Sequence, residues 1–268
     1  DYAPGELKIK LPAPYTNPKW SQNGGNSMHL MGHLQADAKL KEIWSENFGE
    51  GSSKRDYLIA APIVAYNVVF AIDADGVVSA RRLDDGNQIW EKRLKPRNKA
   101  DRGASLKGAG IAEFNKKIYA TTGFGSVFCL DMKTGKQIWR QDMDVPLRIA
   151  PTVNAGRVLV QSFDNTLSAL DAESGEVLWK NQTDYENTTL VGGASPAYSP
   201  EMDVVIAAFS NGELRAFKAS TGTPLWADLL VSHKRPNSLA SISAINANPV
   251  IDGDKVFANG LTLPSIHL

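Results

Sequence analysis

The sequence predicts an all-β chain: a β-propeller of four-stranded antiparallel blades, about four of them complete, with parts of others. Two observations carry the prediction. One pattern recurs four times without a gap, from Gly76 to Trp90, Gly125 to Trp139, Asn165 to Trp179 and Gly212 to Trp226. In each copy a second glycine (Gly86, Gly135, Gly175, Gly222) precedes the tryptophan by four positions. The other observation is the spacing of Trp44, Trp90, Trp139, Trp179 and Trp226, which sets a unit of the size of one propeller blade, about 40–50 residues.

Each unit reads as strands joined by turns. A short run rich in β-branched and aromatic residues comes first: Val68–Ala71, Lys117–Ala120, Arg157–Val160 and Val204–Ala207. It ends in Asp75-Gly76, Phe124-Gly125, Asp164-Asn165 or Asn211-Gly212, read as two-residue hairpins because Gly and Asn tolerate positive φ. The following strand alternates, with Val78, Val127, Leu167 and Leu214 followed two residues on by Ala80, Cys129, Ala169 and Ala216. Period two predicts one buried face, and the small residue predicts close packing over it. A second turn follows, as in Asp131–Gly135, Asp171–Gly175 and Lys218–Gly222, and a last strand carries the tryptophan. Proline opens a further short strand ahead of most units, at Pro62, Pro151, Pro196 and Pro249, with Gly110-Ile111-Ala112 in its place in the second unit. One tryptophan per blade predicts an inter-blade packing role.

Residues 1–36, rich in Pro, Asn and Gly, match no blade and read as an extended N-terminal arm, with the propeller, as an incomplete ring, over 37–268. The chain opens at Asp1 without a methionine or an apolar leader, the expectation for a mature or trimmed form. The fifth unit starts at Pro249-Val250-Ile251 and Lys255–Ala258 but reaches no tryptophan, so the chain is expected to be an N-terminal part of a longer propeller. Trp44 is expected on the outermost strand of the blade that would close such a ring, and an unclosed ring exposes strand edges prone to aggregation.

Composition excludes several functions. With 29 basic and 29 acidic residues the net charge is zero, and no long run of one sign offers a nucleic-acid groove or an anionic-membrane patch. The basic group Lys92, Arg93, Lys95, Arg97, Lys99 and Arg102 reads as a solvated inter-blade loop. No apolar run approaches the roughly 18 residues of a membrane span. The single cysteine, Cys129, takes the place of an alanine and reads as a small buried hydrophobe; it allows no intrachain disulfide.

A search for chemistry yields no catalytic, cofactor-binding or metal-ligating set. His29 and His33 have the spacing of helical zinc ligands, but Gly24, Gly25 and Gly32 interrupt the segment and no third ligand is evident. His233 falls in an inter-blade loop and His267 near the end. No nucleophile elbow, P-loop, dinucleotide fingerprint or HExxH is present. Asp131 and Asp171 hold equivalent positions where other copies carry Arg82 and Lys218, and Asp73 and Asp75 flank one hairpin; all read as turn residues. The Asn-x-Thr sequons at Asn181 and Asn187 share one loop.

The run Ala169-Leu170-Asp171, then Ser174-Gly175, then Trp179, resembles the PQQ-like repeat of quinoproteins. The residue after Trp is Glu91, Arg140, Lys180 or Ala227, unlike the WD40 repeat, and Gly24-Gly25 and Gly192-Gly193 do not recur with the blades as kelch would need. Within that group the stretch Trp20–Leu34 and the run Gly51–Arg55 resemble the alphaproteobacterial branch of the outer-membrane-protein assembly factor (BamB) family. The resemblance implies an eight-bladed periplasmic lipoprotein, lipid-anchored upstream of residue 1, with no cofactor and no enzymatic activity. It implies docking on the periplasmic domains of the barrel-forming subunit of the assembly complex, contact with nascent outer-membrane proteins, and no nucleic acid. It also implies partner-binding loops at Leu190, Val191 and Gly192, where Val191 replaces a family arginine, and at Ala244 and Asn246, where the family carries aspartates. Two alternatives stay open: a fragment of a PQQ-dependent quinoprotein dehydrogenase, and a propeller adaptor acting elsewhere.

Overall fold

The computed structural model describes residues 10–49, 60–97, 109–147, 149–184, 193–230, 245, 247–259 and 266–267. Four four-stranded antiparallel sheets and one three-stranded sheet follow one another along the chain. Blade 1 comprises β1 (Ile63–Ala65), β2 (Val68–Ile72), β3 (Val77–Arg82) and β4 (Gln88–Arg93). Blade 2 comprises β5 (Ala109–Phe114), β6 (Lys117–Thr122), β7 (Ser126–Asp131) and β8 (Gln137–Asp142). Blade 3 comprises β9 (Thr152–Asn154), β10 (Arg157–Gln161), β11 (Thr166–Asp171) and β12 (Val177–Gln182). Blade 4 comprises β13 (Ala197–Ser199), β14 (Val204–Ala208), β15 (Glu213–Lys218) and β16 (Pro224–Leu229). Blade 5 shows β17 (Val250–Asp252), β18 (Lys255–Ala258) and β19 (Ile266–His267). Strands neighbour one another in chain order within every blade. The first strands of successive blades lie side by side, which puts β1, β5, β9, β13 and β17 on the axial side and the Trp strands at the rim.

The turn chemistry differs from the sequence expectation. Two-residue hairpins do occur, but between the first and second strands: Tyr66 and Asn67, and Asn115 and Lys116, have positive φ at both positions, as type I′ turns require. The Asp-Gly and Asp-Asn sites are longer. Asp73 N–H donates to Val77 O and Gly76 N–H to Asp73 O, so only Gly76 is left-handed and the loop is a type I turn closed by a bulge. Ser162 to Thr166 repeats this geometry with Asn165 at φ 60°. In the first of these loops Asp73 Oδ1 adds support by accepting from the amides of Asp75 (3.0 Å) and Val77 (2.7 Å); Phe209 to Glu213 takes the same form with an apolar residue at the first position.

The third strands of blades 1 to 3 are buried on both faces, not on one, whereas β15 of blade 4 keeps Glu213 and Arg215 half-buried. Where both faces of a blade are covered, the alternating residues divide between two interfaces. Ile63, Phe70, Ile72 and Trp90 of blade 1 pack with Ile111, Ile118, Phe128 and Leu130 of blade 2. Tyr119, Val127, Cys129 and Trp139 pack with Val153, Val158 and Leu170 of blade 3. Leu159, Leu167 and Trp179 pack with Val205, Phe209 and Phe217 of blade 4, and Ile206, Leu214 and Ala216 pack with Ile251 and Ala258 of blade 5. The core is thus a series of interfaces between neighbours, as in other stacked-repeat architectures.

A β-bulge stands at one position in each of blades 1 to 4. Ala80 pairs with Trp90 and Arg81 with Gln88, so Ile89 is skipped. Ile138, Leu178 and Leu225 are skipped in the same way opposite Cys129, Ala169 and Ala216. The extra residue turns the tryptophan towards the following blade and pushes the preceding aliphatic side chain into solvent, where all four sit half exposed. The small residue directly opposite leaves room for the indole.

Trp90, Trp139 and Trp179 are 8–9 % exposed, whereas Trp226 is 37 % exposed. Substituting Trp139 by alanine therefore costs about 3–5 kcal/mol of unfolding free energy, the range for deleting a buried aromatic side chain. Trp226→Ala costs clearly less in the same chain, and equilibrium denaturant titrations of the two variants check the contrast.

Candidate functional site

The conserved geometry of the repeat is a docking contact. Trp90 Nε1 donates to Met132 O of blade 2 (2.9 Å), Trp139 to Ala172 O of blade 3 (3.0 Å) and Trp179 to Ala219 O of blade 4 (2.9 Å). Each acceptor opens the second turn of its blade, and each indole lies on that turn's glycine. A Cβ on Gly135 would fall 2.7 Å from Trp90 Cε3, and one on Gly175 2.7 Å from Trp139 Cε3. These glycines also have positive φ, so both space and conformation demand them. Trp44 makes the same contact with blade 1: its Nε1 donates to Leu83 O (2.8 Å) and its ring covers Gly86. Arg81 fastens the segment by donating to Asn47 O (2.8 Å). Residues around Trp44 thus take the place of a preceding blade's outer strand.

The carboxylates singled out as turn residues are used inside their turns. Asp131 Oδ1 accepts from the amide (2.8 Å) and hydroxyl (2.6 Å) of Thr134, and Asp171 Oδ1 from the amide (2.8 Å) and hydroxyl (3.1 Å) of Ser174. The Thr134 hydroxyl bond foremost holds the Asp131 carboxyl below the usual carboxylate range, and the Ser174 amide does so for Asp171. Cys129 is fully buried beside Tyr119, and desolvation pushes its thiol up to about 12, which removes it as a nucleophile at neutral pH. Among the described residues no group of three or more His, Cys, Asp and Glu could hold a metal ion. His29 and His33 do not converge: His33 Nδ1 donates to Pro12 O (2.8 Å) and His29 Nδ1 to Pro249 O (2.7 Å).

The bond of His29 belongs to a feature that the repeat could not reveal. Residues Trp20–His29 run along the axial strands of all five blades. Trp20 exchanges both backbone hydrogen bonds with Val64 of β1 (2.8 Å each), and Ser21 O accepts from Glu113 N–H of β5 (2.7 Å). Gln22 imitates a strand with its side chain: Nε2 donates to Val153 O of β9 and Oε1 accepts from Val153 N–H, both at 2.8 Å. Ser27 O accepts from Tyr198 N–H of β13 (2.6 Å), its hydroxyl from Asn154 Nδ2 (2.9 Å), and Met28 O from Ile251 N–H of β17 (3.0 Å). Asn23 Nδ2 donates to Ser195 Oγ just before β13 (3.0 Å). An ion pair reinforces the entry, with Lys19 Nζ 2.6 Å from the fully buried Glu113 carboxylate. Gly24 and Gly25, at φ 71° and 90°, turn the segment, and Asn26 Oδ1 holds the turn by accepting from Met28 (3.0 Å) and Leu30 (3.2 Å) amides. Asn, Gln and Ser at these positions are the sequence signal for such a seat, legible only once the unpaired axial edges are known.

The partner-binding positions Leu190, Val191, Gly192, Ala244 and Asn246 lie outside the described residues, in the connections from β12 to β13 and from β16 to β17.

Blades joined by an indole seated on the next blade's glycine turn define the class, a PQQ-like β-propeller. The family model described as outer membrane protein assembly factor BamB matches residues 74–262. The chain belongs to that family. BamB of Shewanella oneidensis is 26% identical over 229 residues, 84% of this chain and 57% of the relative. BamB of Moranella endobia is 25% identical over 224 residues, 82% of this chain and 57% of the relative. An uncharacterised protein of Rickettsia conorii is 31% identical over 178 residues, 65% of this chain and 41% of its own length. The chain therefore spans about half the length of the curated relatives it matches. Among solved structures, BamB from Moraxella catarrhalis superposes with a TM-score of 0.63 at 20% identity, over 74% of this chain and 57% of that one. Quinohemoprotein alcohol dehydrogenase from Comamonas testosteroni gives 0.67 at 18% identity, over 93% and 49%. Europium-containing methanol dehydrogenase gives 0.69 at 16%, over 90% and 54%. At these identities the structural likenesses establish the fold alone.

Burial lowers the pKa of His29, against the opposing effect of its bond to Pro249, and its Nε2 is buried without a partner. A histidine held neutral in the fold contributes full stability above its unfolded pKa of about 6.5 and loses it as the pH falls below that value. Melting temperatures recorded from pH 8 to pH 5 should fall more steeply for the parent chain than for His29→Asn, which keeps a donor for Pro249 and tolerates the positive φ of 58°.

Proposed function

We propose that this chain is a non-enzymatic scaffold for outer-membrane protein assembly, working at the periplasmic face of the outer membrane. The observation that carries this reading is the BamB family match across the blades, residues 74–262. In this reading rigid blades display inter-blade loops, and the loops around Leu190–Gly192 and Ala244–Asn246 dock on the periplasmic domains of the barrel-forming subunit. Nascent outer-membrane proteins are the second class of partner, and nucleic acid is none. A lipid anchor upstream of residue 1 would hold the scaffold at the membrane; no helix among the described residues is long and apolar enough to cross one.

The described residues also fit a scaffold better than a quinone enzyme. The candidate carboxylates are engaged in turn hydrogen bonds. The one cysteine is buried and unreactive, no metal-ligand group is present among the described residues, and the axial edges of five blades are paired with the chain's own segment. Among the described residues no donor set comes together that would hold a quinone beside a metal ion.

Titration of the folded, monodisperse chain against the periplasmic domains of a barrel-forming subunit should give saturable micromolar binding. Leu190→Glu combined with Val191→Glu should abolish it with unchanged circular dichroism. Equal affinity of parent and variant would remove this loop from the site. Stoichiometric uptake of quinone and calcium, seen as a new absorbance band, would overturn the scaffold reading in favour of a dehydrogenase.

A further inference from the structure

The axial edges of the five blades and the Trp20–His29 segment have the features of a receptor and its peptide. Strands β1, β5, β9, β13 and β17 each end a sheet, so each presents unpaired backbone groups towards the axis. The segment meets one edge after another in the order of the chain: Trp20 on blade 1, Ser21 on blade 2, Gln22 on blade 3, Ser27 on blade 4 and Met28 on blade 5. Ser21, Gln22, Ser27 and His29 are buried polar residues, and the blades supply partners for the Gln22 amide, the Ser27 hydroxyl and His29 Nδ1. The segment carries its own turn through Gly24, Gly25 and Asn26, so its shape is largely preset. After it, Gln35–Ile43 is exposed, a tether and not a part of the contact.

We propose that the axial edges of blades 1 to 5 form a peptide-binding site whose ligand is the chain's own Trp20–His29, and that this segment acts as a template fixing the angular order of the blades. Because the segment precedes every blade in the chain, it is available before any of them is complete. Blades 1 to 4 then each gain two restraints: the second turn receives the preceding tryptophan at the rim, and the first strand meets the next residue of the template at the axis. The site selects a polar peptide with a built-in turn. Its recognition elements are backbone carbonyls offered to strand N–H groups and one amide side chain, Gln22, substituting for a strand residue. An ion pair from Lys19 to Glu113 adds a charge requirement at the entry. Nothing in this contact depends on the outer-membrane role or on the inter-blade loops, so the two readings fail independently.

The test keeps the whole chain. A site-specific protease sequence is placed in the exposed stretch Asp37–Lys41, and the folded protein is cleaved there. The amino-terminal fragment should co-elute with the blades on size exclusion, and excess synthetic peptide spanning residues 18–36 should displace it. Gln22→Ala, which deletes both bonds to Val153, should speed release of the fragment by about ten-fold or more, as expected for two lost hydrogen bonds at about 1 kcal/mol each. Amides of Glu113, Tyr198 and Ile251 should then exchange with solvent faster than in the parent, while the amides of β3, β7 and β11 keep their protection. A fragment that elutes alone from blades with an unchanged circular dichroism spectrum would overturn the proposal. So would a Gln22→Ala fragment released at the parent rate.

Discussion

The seating of an indole on a glycine turn is the contact on which the blade stack depends. It joins blade 1 to 2, 2 to 3 and 3 to 4 with the same hydrogen bond from Nε1 to the first carbonyl of the next turn. Three local features serve it. The bulge at Ile89, Ile138 and Leu178 aims the ring, the small residue opposite makes room, and the left-handed glycine lets the ring lie against backbone. Exposed aliphatic side chains at the bulges are the cost of that aim. Tyr119 strengthens one junction by adding its hydroxyl to the carbonyl of Ala172 that already accepts from Trp139. Since every interface is between neighbours, stability accumulates from one blade to the next, and the three indoles seated on a following turn are buried whereas Trp226 is 37 % exposed.

A second and chemically opposite contact works at the axis. The rim contacts are aromatic and repeat with the blades; the axial contacts are polar and come from one segment without internal repetition. Both answer the same constraint, that buried backbone N–H and C=O groups need partners. At the rim the requirement is met by the turn carbonyl and the indole. At the axis it is met by the carbonyls of Ser21, Ser27 and Met28, with the amide of Gln22. Polar links between blades add to it, as where Thr152 donates to Pro196 O (2.6 Å) and Ser195 N–H donates to Asn248 Oδ1 (2.8 Å). Gly110 shows how close the axial strands come: a Cβ there would lie 2.2 Å from Ala150 Cα.

These two contacts also account for the chemically capable side chains among the described residues. Asp73, Asp131 and Asp171 are occupied with turn amides, Cys129 with inter-blade packing, and His29 with a carbonyl at the axis. Groups that carry chemistry in other proteins hold this architecture together. What distinguishes the protein from other members of its fold then falls to loops and exposed edges, in keeping with the scaffold role proposed for the family match.

The blades, their strand order and the packing role of the tryptophans were legible in the sequence, because each depends on residues close together in the chain and repeated four times. The glycine before each Trp and the alanine or cysteine opposite it could be read as constraints without knowing what they met. Burial of both faces of β3, β7 and β11 could not, since period-two alternation looks the same whether one face or two is covered. The choice of turn was missed for a related reason: Asp-Gly favours a left-handed residue in either a tight or a bulged hairpin, and the pairing register of the flanking strands, as in Ile72 opposite Val78, decides between them. The axial seat of Trp20–His29 was beyond any local reading. Its partners lie as far along the chain as Ile251, which donates to Met28 O, and polar residues with paired glycines acquire meaning only when five strand edges converge. The sequence alone determined the repeat and hence the blade; the tertiary structure alone decided how the blades are ordered about an axis, because that order rests on hydrogen bonds between segments that the chain keeps far apart.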